Sequence, residues 1–506
     1  MLPSLARRVI LFLLLSTLAS AQTSEQRTAH YLDSIRKQPQ LLLAFLHDLP
    51  KGGDLHNHLD GALYAEDLID FAVDGNLCVD RTSSRLLAPP CDSCETYTAK
   101  PAARCAYGDH VLYNQMIDAW SMRNWRPGDE SGHDHFFAAF EKFGLASRTH
   151  VAEAIASAVN RAGMDHLQYL ELMHTADGGA AAGLAAKLDW TSDYPKMRDA
   201  LLAAGIKDVA AETSKKLGAE DAHAKEILKC GTPEAAPGCA VTVRYLYQVL
   251  RGLPPQVVFT QILLGFELAS SDPKFVGFNL VMPEDWYVCV HDFNRHMDMV
   301  DYLHSVYPKV HISLHAGELA MGLVPPEDLT FHIRSSVEKG HAERIGHGVS
   351  VMDEKDPIAL LHEMAERNVL VEVALTSNDV ILGVSGDEHP FPIYMKYGVP
   401  VALASDDEGV SRSDMTQEYL RAVETYHLSY ADLKRLARQS LEHSFLPGQS
   451  LWTDTKLVFR SAPACAADVA NPEKPSAACV EFLTANQRAH EQWKLETEFA
   501  SFEKKY

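Results

Sequence analysis

The sequence contains no run of lysines and arginines, and its 46 basic side chains are outnumbered by 68 acidic ones, a formal net charge of −22 over 506 residues. An acidic surface repels phosphate backbones and anionic headgroups, so nucleic-acid polymers and acidic membranes are excluded as expected partners. No motif recurs with a period of about 20 to 50 residues, which excludes solenoids and propellers. Glycine and proline, at 29 and 25 residues, are too sparse for a collagenous or low-complexity chain. Beyond the amino terminus no stretch approaches the roughly 18 to 20 uninterrupted apolar residues of a membrane-spanning helix. What is present is 46% hydrophobic and 23% charged, the composition of a globular protein with a large core. Length alone does not force a division, because α/β barrels with insertions exceed about 400 residues as one unit.

Arg7 and Arg8 precede the apolar residues 9–18, and Ala19-Ser20-Ala21 follows, a small-x-small pattern before Gln22. This is the layout of an export signal. It predicts removal of residues 1–21, a mature chain spanning 22–506, a secreted or periplasmic location and no membrane span afterwards. Export permits disulfides, and the nine cysteines fall in groups: Cys78, Cys91, Cys94 and Cys105 in one loop-rich stretch, Cys230 with Cys239, and Cys465 with Cys479. Local loop staples are expected, with the connectivity of the first four open. The odd Cys289, in the apolar run 286–290, is expected to be a buried free thiol.

Short β-rich apolar runs alternate with longer amphipathic stretches, as in βα units around a parallel sheet. The strand candidates number eight. They are residues 53–58, 167–174, 241–250, 275–281, 310–315, 344–349, 369–376 and 399–405. Helical runs such as 294–306, 326–339, 357–367 and 415–426 lie between them. The fold class read from this is α/β, a single (β/α)8 TIM barrel over 22–506 with insertions at about 74–134 and 176–240. Segments that follow strands emerge on the carboxyl face of a barrel, so the insertions are either a lid or partner-binding surface, or passive disulfide-pinned excursions. Beyond Ser461, a tail with a charged helix at 484–505 is expected to pack on the outside.

Strand alternation puts His56 and His58, in Asp54-Leu55-His56-Asn57-His58, on one face. With 24 histidines such a pair arises about once by chance, and a second does occur at His133 and His135. That second pair opens the amphipathic stretch 136–143 and is expected on the surface, its members pointing to different sides of a helix. The first pair has company at the carboxyl ends of other strand candidates: His315 with Glu318, His347, and Asp406-Asp407. Three imidazoles and a carboxylate suit zinc, which accepts nitrogen and oxygen ligands and keeps an open position when catalytic.

In order, Gly53-Asp54-Leu55-His56-Asn57-His58-Leu59-Asp60-Gly61-Ala62, His315-Ala316-Gly317-Glu318, Arg344-Ile345-Gly346-His347-Gly348 and Ser405-Asp406-Asp407 make a set that resembles the adenosine deaminases, including their secreted relatives, within the metal-dependent amidohydrolases. The resemblance implies a (β/α)8 barrel, one zinc ion per chain and hydrolytic removal of an exocyclic amine. Carried over by position, it implies that His56, His58, His315 and Asp406 bind zinc. Glu318 would protonate purine N1, His347 would assist deprotonation of the attacking water, and Asp407 would accept or share a hydrogen bond at N7. Gly277 resembles the backbone contact to N3, although the family often has an acidic residue where Asn279 stands. Asp60 resembles the residue holding a ribose hydroxyl; the competing reading makes it the cap of a helix beginning near Tyr64.

Two rival zinc signatures fail. Pro90-Cys91-Asp92-Ser93-Cys94 and His341-Ala342-Glu343 are the halves of a cytidine-type site in the wrong order, and an exported Cys-x-x-Cys favours a disulfide. His362-Glu363 lacks the second histidine of the protease motif, since Glu366 stands there. The expected function is zinc-dependent conversion of adenosine or 2′-deoxyadenosine to inosine or its deoxy form and ammonia, with a small-molecule purine nucleoside as partner and the oligomeric state, a homo-oligomer included, left open. The alternatives are an exported amidohydrolase for another aminopurine or modified adenosine, and a secreted binding or signalling protein that retains the fold.

Overall fold

The computed structural model describes residues 22–94, 97–128, 130–456 and 458–506; the segment 1–21 read as an export signal lies outside the described residues. Eight parallel strands neighbour one another in chain order: β1 (Gly52–His58), β2 (Leu167–His174), β3 (Thr242–Leu250), β4 (Phe275–Val281), β5 (His311–Ala316), β6 (Arg344–His347), β7 (Leu370–Val373) and β8 (Val401–Leu403). Strands such as β4 and β6 are buried along their whole length, the pattern of a parallel sheet covered by crossover helices. A parallel bridge between Asn57 and Asp406 joins the first strand to the chain leaving the last. There the Asp406 N–H donates to the His56 carbonyl at 2.9 Å and the His58 N–H to the Asp406 carbonyl at 3.0 Å. The barrel therefore closes through residues that also carry its polar mouth.

The helices obey local rules. Pro357–Arg367 starts with proline in its first turn behind Asp356, whose side chain accepts from the Ala359 N–H, and ends on Asn368 in the left-handed region at φ 59°. Met415–Tyr426 starts behind Asp414, which accepts from the Gln417 N–H. Other boundaries depart from the sequence reading. The run 326–339 is broken at Phe331 into a 3-10 turn, Pro326–Leu329, and a helix, His332–Glu338. The apolar run 369–376 is a strand only to Val373, because Leu375–Leu382 turns into a helix; hydrophobicity alone does not separate the two. The C-terminal helix begins at Gln487, after a separate helix Ala477–Ala485. It packs across the amino-terminal end of the barrel, where Glu491 accepts from Gln168 and Thr242 beside the starts of β2 and β3.

The two inserted segments differ. Within 176–240, the helix Ile206–Ile227 packs between Val151–Met164 and Pro255–Ser271, so it is the crossover helix of its own βα unit rather than an addition. The segment 74–134 instead leads into the helix Gly132–Ser147, which packs against Leu375–Leu382 and Glu408–Ser411, both of which follow barrel strands on the carboxyl face. The Met122 N–H donates to the Val410 carbonyl at 2.8 Å.

At the other side His133 Nε2 lies 2.9 Å from Asp285 Oδ1, beyond the end of β4. The expectation of a surface histidine pair is thus corrected. His133 is only 8% exposed because it bridges Asp134 and Asp285, while His135 is half-buried against Glu130 and the carbonyls of Asp118 and Ser121.

Four disulfides join Cys78 to Cys91, Cys94 to Cys105, Cys230 to Cys239 and Cys465 to Cys479, and Cys289 is buried and free. Cys91 and Cys94 are oxidised, each to a partner outside the Cys-x-x-Cys. Among the described residues no helix is long and apolar enough to cross a membrane.

Candidate active site

Four side chains meet where the barrel closes. His56 and His58 project from the end of β1, His315 from β5, and Asp406 from the turn after β8; their ligand atoms all lie within 4.8 Å of one another. Each imidazole is pinned through Nδ1 by an acceptor. His56 Nδ1 is 2.7 Å from Glu372 Oε2 and His58 Nδ1 is 2.8 Å from Gln248 Oε1. His315 Nδ1 is 2.9 Å from Asn279 Oδ1, an oxygen that also accepts the His315 backbone N–H at 3.0 Å.

In the neutral imidazole, the form that ligates a metal, an acceptor at Nδ1 fixes the ring proton there and leaves Nε2 a bare lone pair. When no ion lies among them, and against burial, Asp406 and Glu372 instead raise His56 to about 10, favouring a second proton. In the neutral form His58 Nε2 and His315 Nε2 face each other at 3.2 Å with no proton between them. Asp406 Oδ1 stands 3.4 Å from His56 Nε2 and 3.3 Å from His58 Nε2, and His56 Nε2 is buried without a hydrogen-bond partner. Converging lone pairs and a carboxylate repel unless a cation lies among them, and nitrogen donors with one oxygen donor fit a divalent ion such as zinc.

Local backbone makes this approach feasible. A Cβ on Gly346, opposite His315 in the β5–β6 register, would sit 2.6 Å from His56 Cε1, so only glycine admits that ring. Asp406 adopts φ 58°, which interrupts strand alternation and turns both Asp406 and Asp407 inward, 2% and 5% exposed. Asp407 lies over Gly61, where a Cβ would strike its Oδ1 at 1.6 Å. Burial, and next the neighbouring Asp406 carboxylate, push Asp407 up to about 8.

Glu318 is buried beside them; burial, then Asp406 and Glu284, hold it well above the usual carboxylate range, which favours its acid form. His347 Nδ1 lies 3.7 Å from Glu318 Oε1. Burial is the main force keeping His347 down at about 4, against the attraction of Asp406.

Its tautomer follows from a chain of contacts. The Phe391 N–H donates to His389 Nδ1, His389 Nε2–H to Asn378 Oδ1, and the Asn378 amide to His347 Nδ1, at 3.1, 3.0 and 3.1 Å. His347 therefore carries its proton on Nε2, a buried atom with no protein partner.

The structure also places the substrate-binding candidates. Asp60 lies at the mouth just past β1, close enough to act electrostatically on Asp407 and His174. It caps nothing: the helix Ala65–Asp74 has Tyr64 at its N-cap and no side-chain cap bond. Gly277 is not brought to the site. It pairs with His311 at the start of β5, four residues before His315, so strand register holds it toward the amino-terminal half of the barrel.

Several residues of the site were not singled out from the sequence: Gln248, Glu372, Glu284, His174 at the end of β2, and the pair Asn378 and His389. A signal existed for Glu372, since a polar side chain inside a strand buried on both faces needs a partner. A second group, His47, Asp48 and His166, clusters before β1 and β2 at the opposite end of the barrel. There Asp48 is already held by the Lys505 ammonium and the Tyr506 hydroxyl.

A parallel barrel whose mouth gathers three imidazoles, a carboxylate and a buried acid carries its polar groups on the carboxyl face, where barrel enzymes place their chemistry. Residues 209–452 match the adenosine deaminase family model, a span that holds His315, Glu318, His347, Asp406 and Asp407 and begins beyond His56 and His58. An adenosine deaminase of Enterococcus faecalis is 33% identical over 185 residues, covering 36% of this chain and 46% of that protein. The chain thus spans about half the length of that curated relative.

The crystal structure of an adenine deaminase from Arthrobacter aurescens superposes with a TM-score of 0.52 at 16% identity, over 79% of this chain and 94% of that one. An amidohydrolase of Burkholderia ambifaria, solved with bound zinc, superposes with a TM-score of 0.51 at 17% identity, over 88% and 93% of the two chains. Over residues 209–452 the chain is thus similar to the adenosine deaminase family, and its barrel fold is that of the two solved structures.

Proposed function

We propose that the protein is a zinc-dependent hydrolase that converts adenosine or 2′-deoxyadenosine to the corresponding inosine and ammonia. The observation that carries this reading is the convergence of three imidazoles and Asp406 beside a buried acid held well above the usual carboxylate range. His56, His58, His315 and Asp406 would hold the ion. When bound, zinc supplies hydroxide near neutral pH by lowering the pKa of water from about 15.7 toward 7.

The protein's own groups do the rest. Addition of hydroxide at C6 breaks ring resonance, and the neutral Glu318 gives its proton to N1 as that carbon becomes tetrahedral. His347 offers Nε2–H to the oxygen that gains charge, acting as an electrostatic partner in its resting tautomer. Asp407, which burial and then Asp406 push up, can share a hydrogen bond with N7 by donating from its acid form, since N7 has only a lone pair to offer. The proton of the new C6 hydroxyl then passes to the amino group, the C6–N bond breaks as the C6 carbonyl forms, and ammonia leaves, while the proton released on forming hydroxide restores Glu318. Asp60 and His174 border the region open to the sugar.

Export is part of the proposal, supported by the Arg7-Arg8 and 9–18 pattern and by eight cysteines held in four disulfides. The test is to incubate the zinc-loaded protein with adenosine and follow purine absorbance and ammonia release. Turnover is expected. Consumption of a different aminopurine alone would replace the substrate, and inertness toward all of them would leave a binding protein on a deaminase fold. Glu318→Gln is expected to keep its metal and lose nearly all turnover; an unchanged rate would reject the proton-donor role.

A further inference from the structure

We propose that Glu284, in the loop after β4, is a positioning residue that aims Glu318 by holding the backbone turn on which it sits. The inference rests on the reading of Glu318 as the proton donor and adds the device that fixes its direction.

The chain leaves β5 at Ala316 and turns at Gly317, whose φ is 78°. Both N–H groups of that turn point at one carboxylate: Gly317 N–H donates to Glu284 Oε1 at 3.0 Å and Glu318 N–H to Glu284 Oε2 at 2.8 Å. The carboxylate is itself over-determined. His332 Nδ1 lies 2.5 Å from Oε1, and Arg251 Nη2 lies 3.9 Å from Oε2. Arg251, fully buried, also donates from Nη1 to the His315 carbonyl at 3.2 Å, so the same cluster grips the strand end on both sides of Ala316.

The Glu284 side chain is wholly buried, and although burial opposes ionisation, His332 and Arg251 hold it down at about 2. It is thus an anion at every working pH. Only a carboxylate does this job: two backbone donors need two acceptor oxygens, and a glutamine would offer one oxygen while setting its NH2 against the other N–H.

Glu284 touches neither the four clustered donors nor the open mouth, so its loss should act on the chemical step through Glu318. The experiment compares wild-type protein with Glu284→Gln and Glu284→Asp for kcat, KM, zinc content and Tm. Aspartate keeps the charge beside Arg251 and His332 but is one methylene too short to reach the turn, so it serves if the glutamine variant fails to fold.

For either folded variant, kcat is expected to fall about 30- to 300-fold, as misplacement of a catalytic group by about 1 Å does. KM and zinc per chain should stay within about threefold of wild type. A kcat within about threefold of wild type would overturn the proposal, as would loss of zinc in step with activity or collapse of both folds, each of which marks a general structural role. Absence of turnover in the wild type with every aminopurine would instead reject the assigned function, an outcome read before any variant is made.

Discussion

Each of the three clustered histidines is useful only in one tautomer, and a single neighbour sets it. Gln248 does this for His58 at 2.8 Å. Gln248→Ala is expected to weaken zinc binding about 10- to 100-fold, the usual cost of losing such an orienting partner, measured by competition with a chelator. Glu372 does the same for His56 but is also paired with buried Arg344, its Oε1 2.7 Å from Arg344 Nε. Its removal should therefore cost stability as well, about 1 to 3 kcal/mol for the buried Nε left without a partner, since Glu171 still holds the Nη2 end of the guanidinium at 2.5 Å. The two variants separate metal affinity from fold energy. Gly346→Ala tests the packing side of the argument: a methyl 2.6 Å from His56 Cε1 must displace the ring, so zinc affinity should drop although no ligand has changed. Wild-type affinity in that variant would show that the ring has room to move.

At the scale of elements, Gly132–Ser147 packs on Leu375–Leu382 on one side and reaches Asp285 through His133 on the other. Burial works against protonation of His133, but hydrogen bonds to Asp285 and Asp134 raise its pKa above the ordinary value. Because the folded pKa is raised, the contact is fully present below about 6.5, the unfolded value, and is lost as pH rises through the higher folded value. Protection of the amides of residues 110–128 and 130–147, relative to their intrinsic exchange rates, should fall over that range, and KM for the substrate should rise with it. In His133→Gln both protection and KM are expected to be pH-independent there; a wild-type pH response in that variant would assign the effect elsewhere.

For the whole molecule, four groups that repel one another complete the closure of a barrel, since Asp406 both joins β1 and faces the imidazoles. Removing the ion should therefore loosen the barrel as well as the site. At free zinc about 100 times Kd, binding contributes about 2.7 kcal/mol, so chelation is expected to lower Tm by a few degrees, read by calorimetry and reversed by zinc. An unchanged Tm would mean that the closing strands do not depend on the ion.

Much of this was legible in the chain. Period-two apolar runs and the helical stretches between them are local properties, and eight such runs with polar residues at their ends predicted a parallel barrel and pointed to His56, His58, His315, Glu318, His347, Asp406 and Asp407. Three things were not local. The partners that set each tautomer lie between 36 and 316 residues from the ring they orient, and only strand register brings them together. Register likewise set Gly277 opposite His311, where spacing from a motif could not show it to be at the wrong end of its strand. The inward turn of Asp407, the crossover role of Ile206–Ile227 and the reach of His133 to Asp285 were decided by packing between distant elements. Alternation and composition act over a few residues, whereas the direction of a lone pair is set by whatever the folded barrel places beside it.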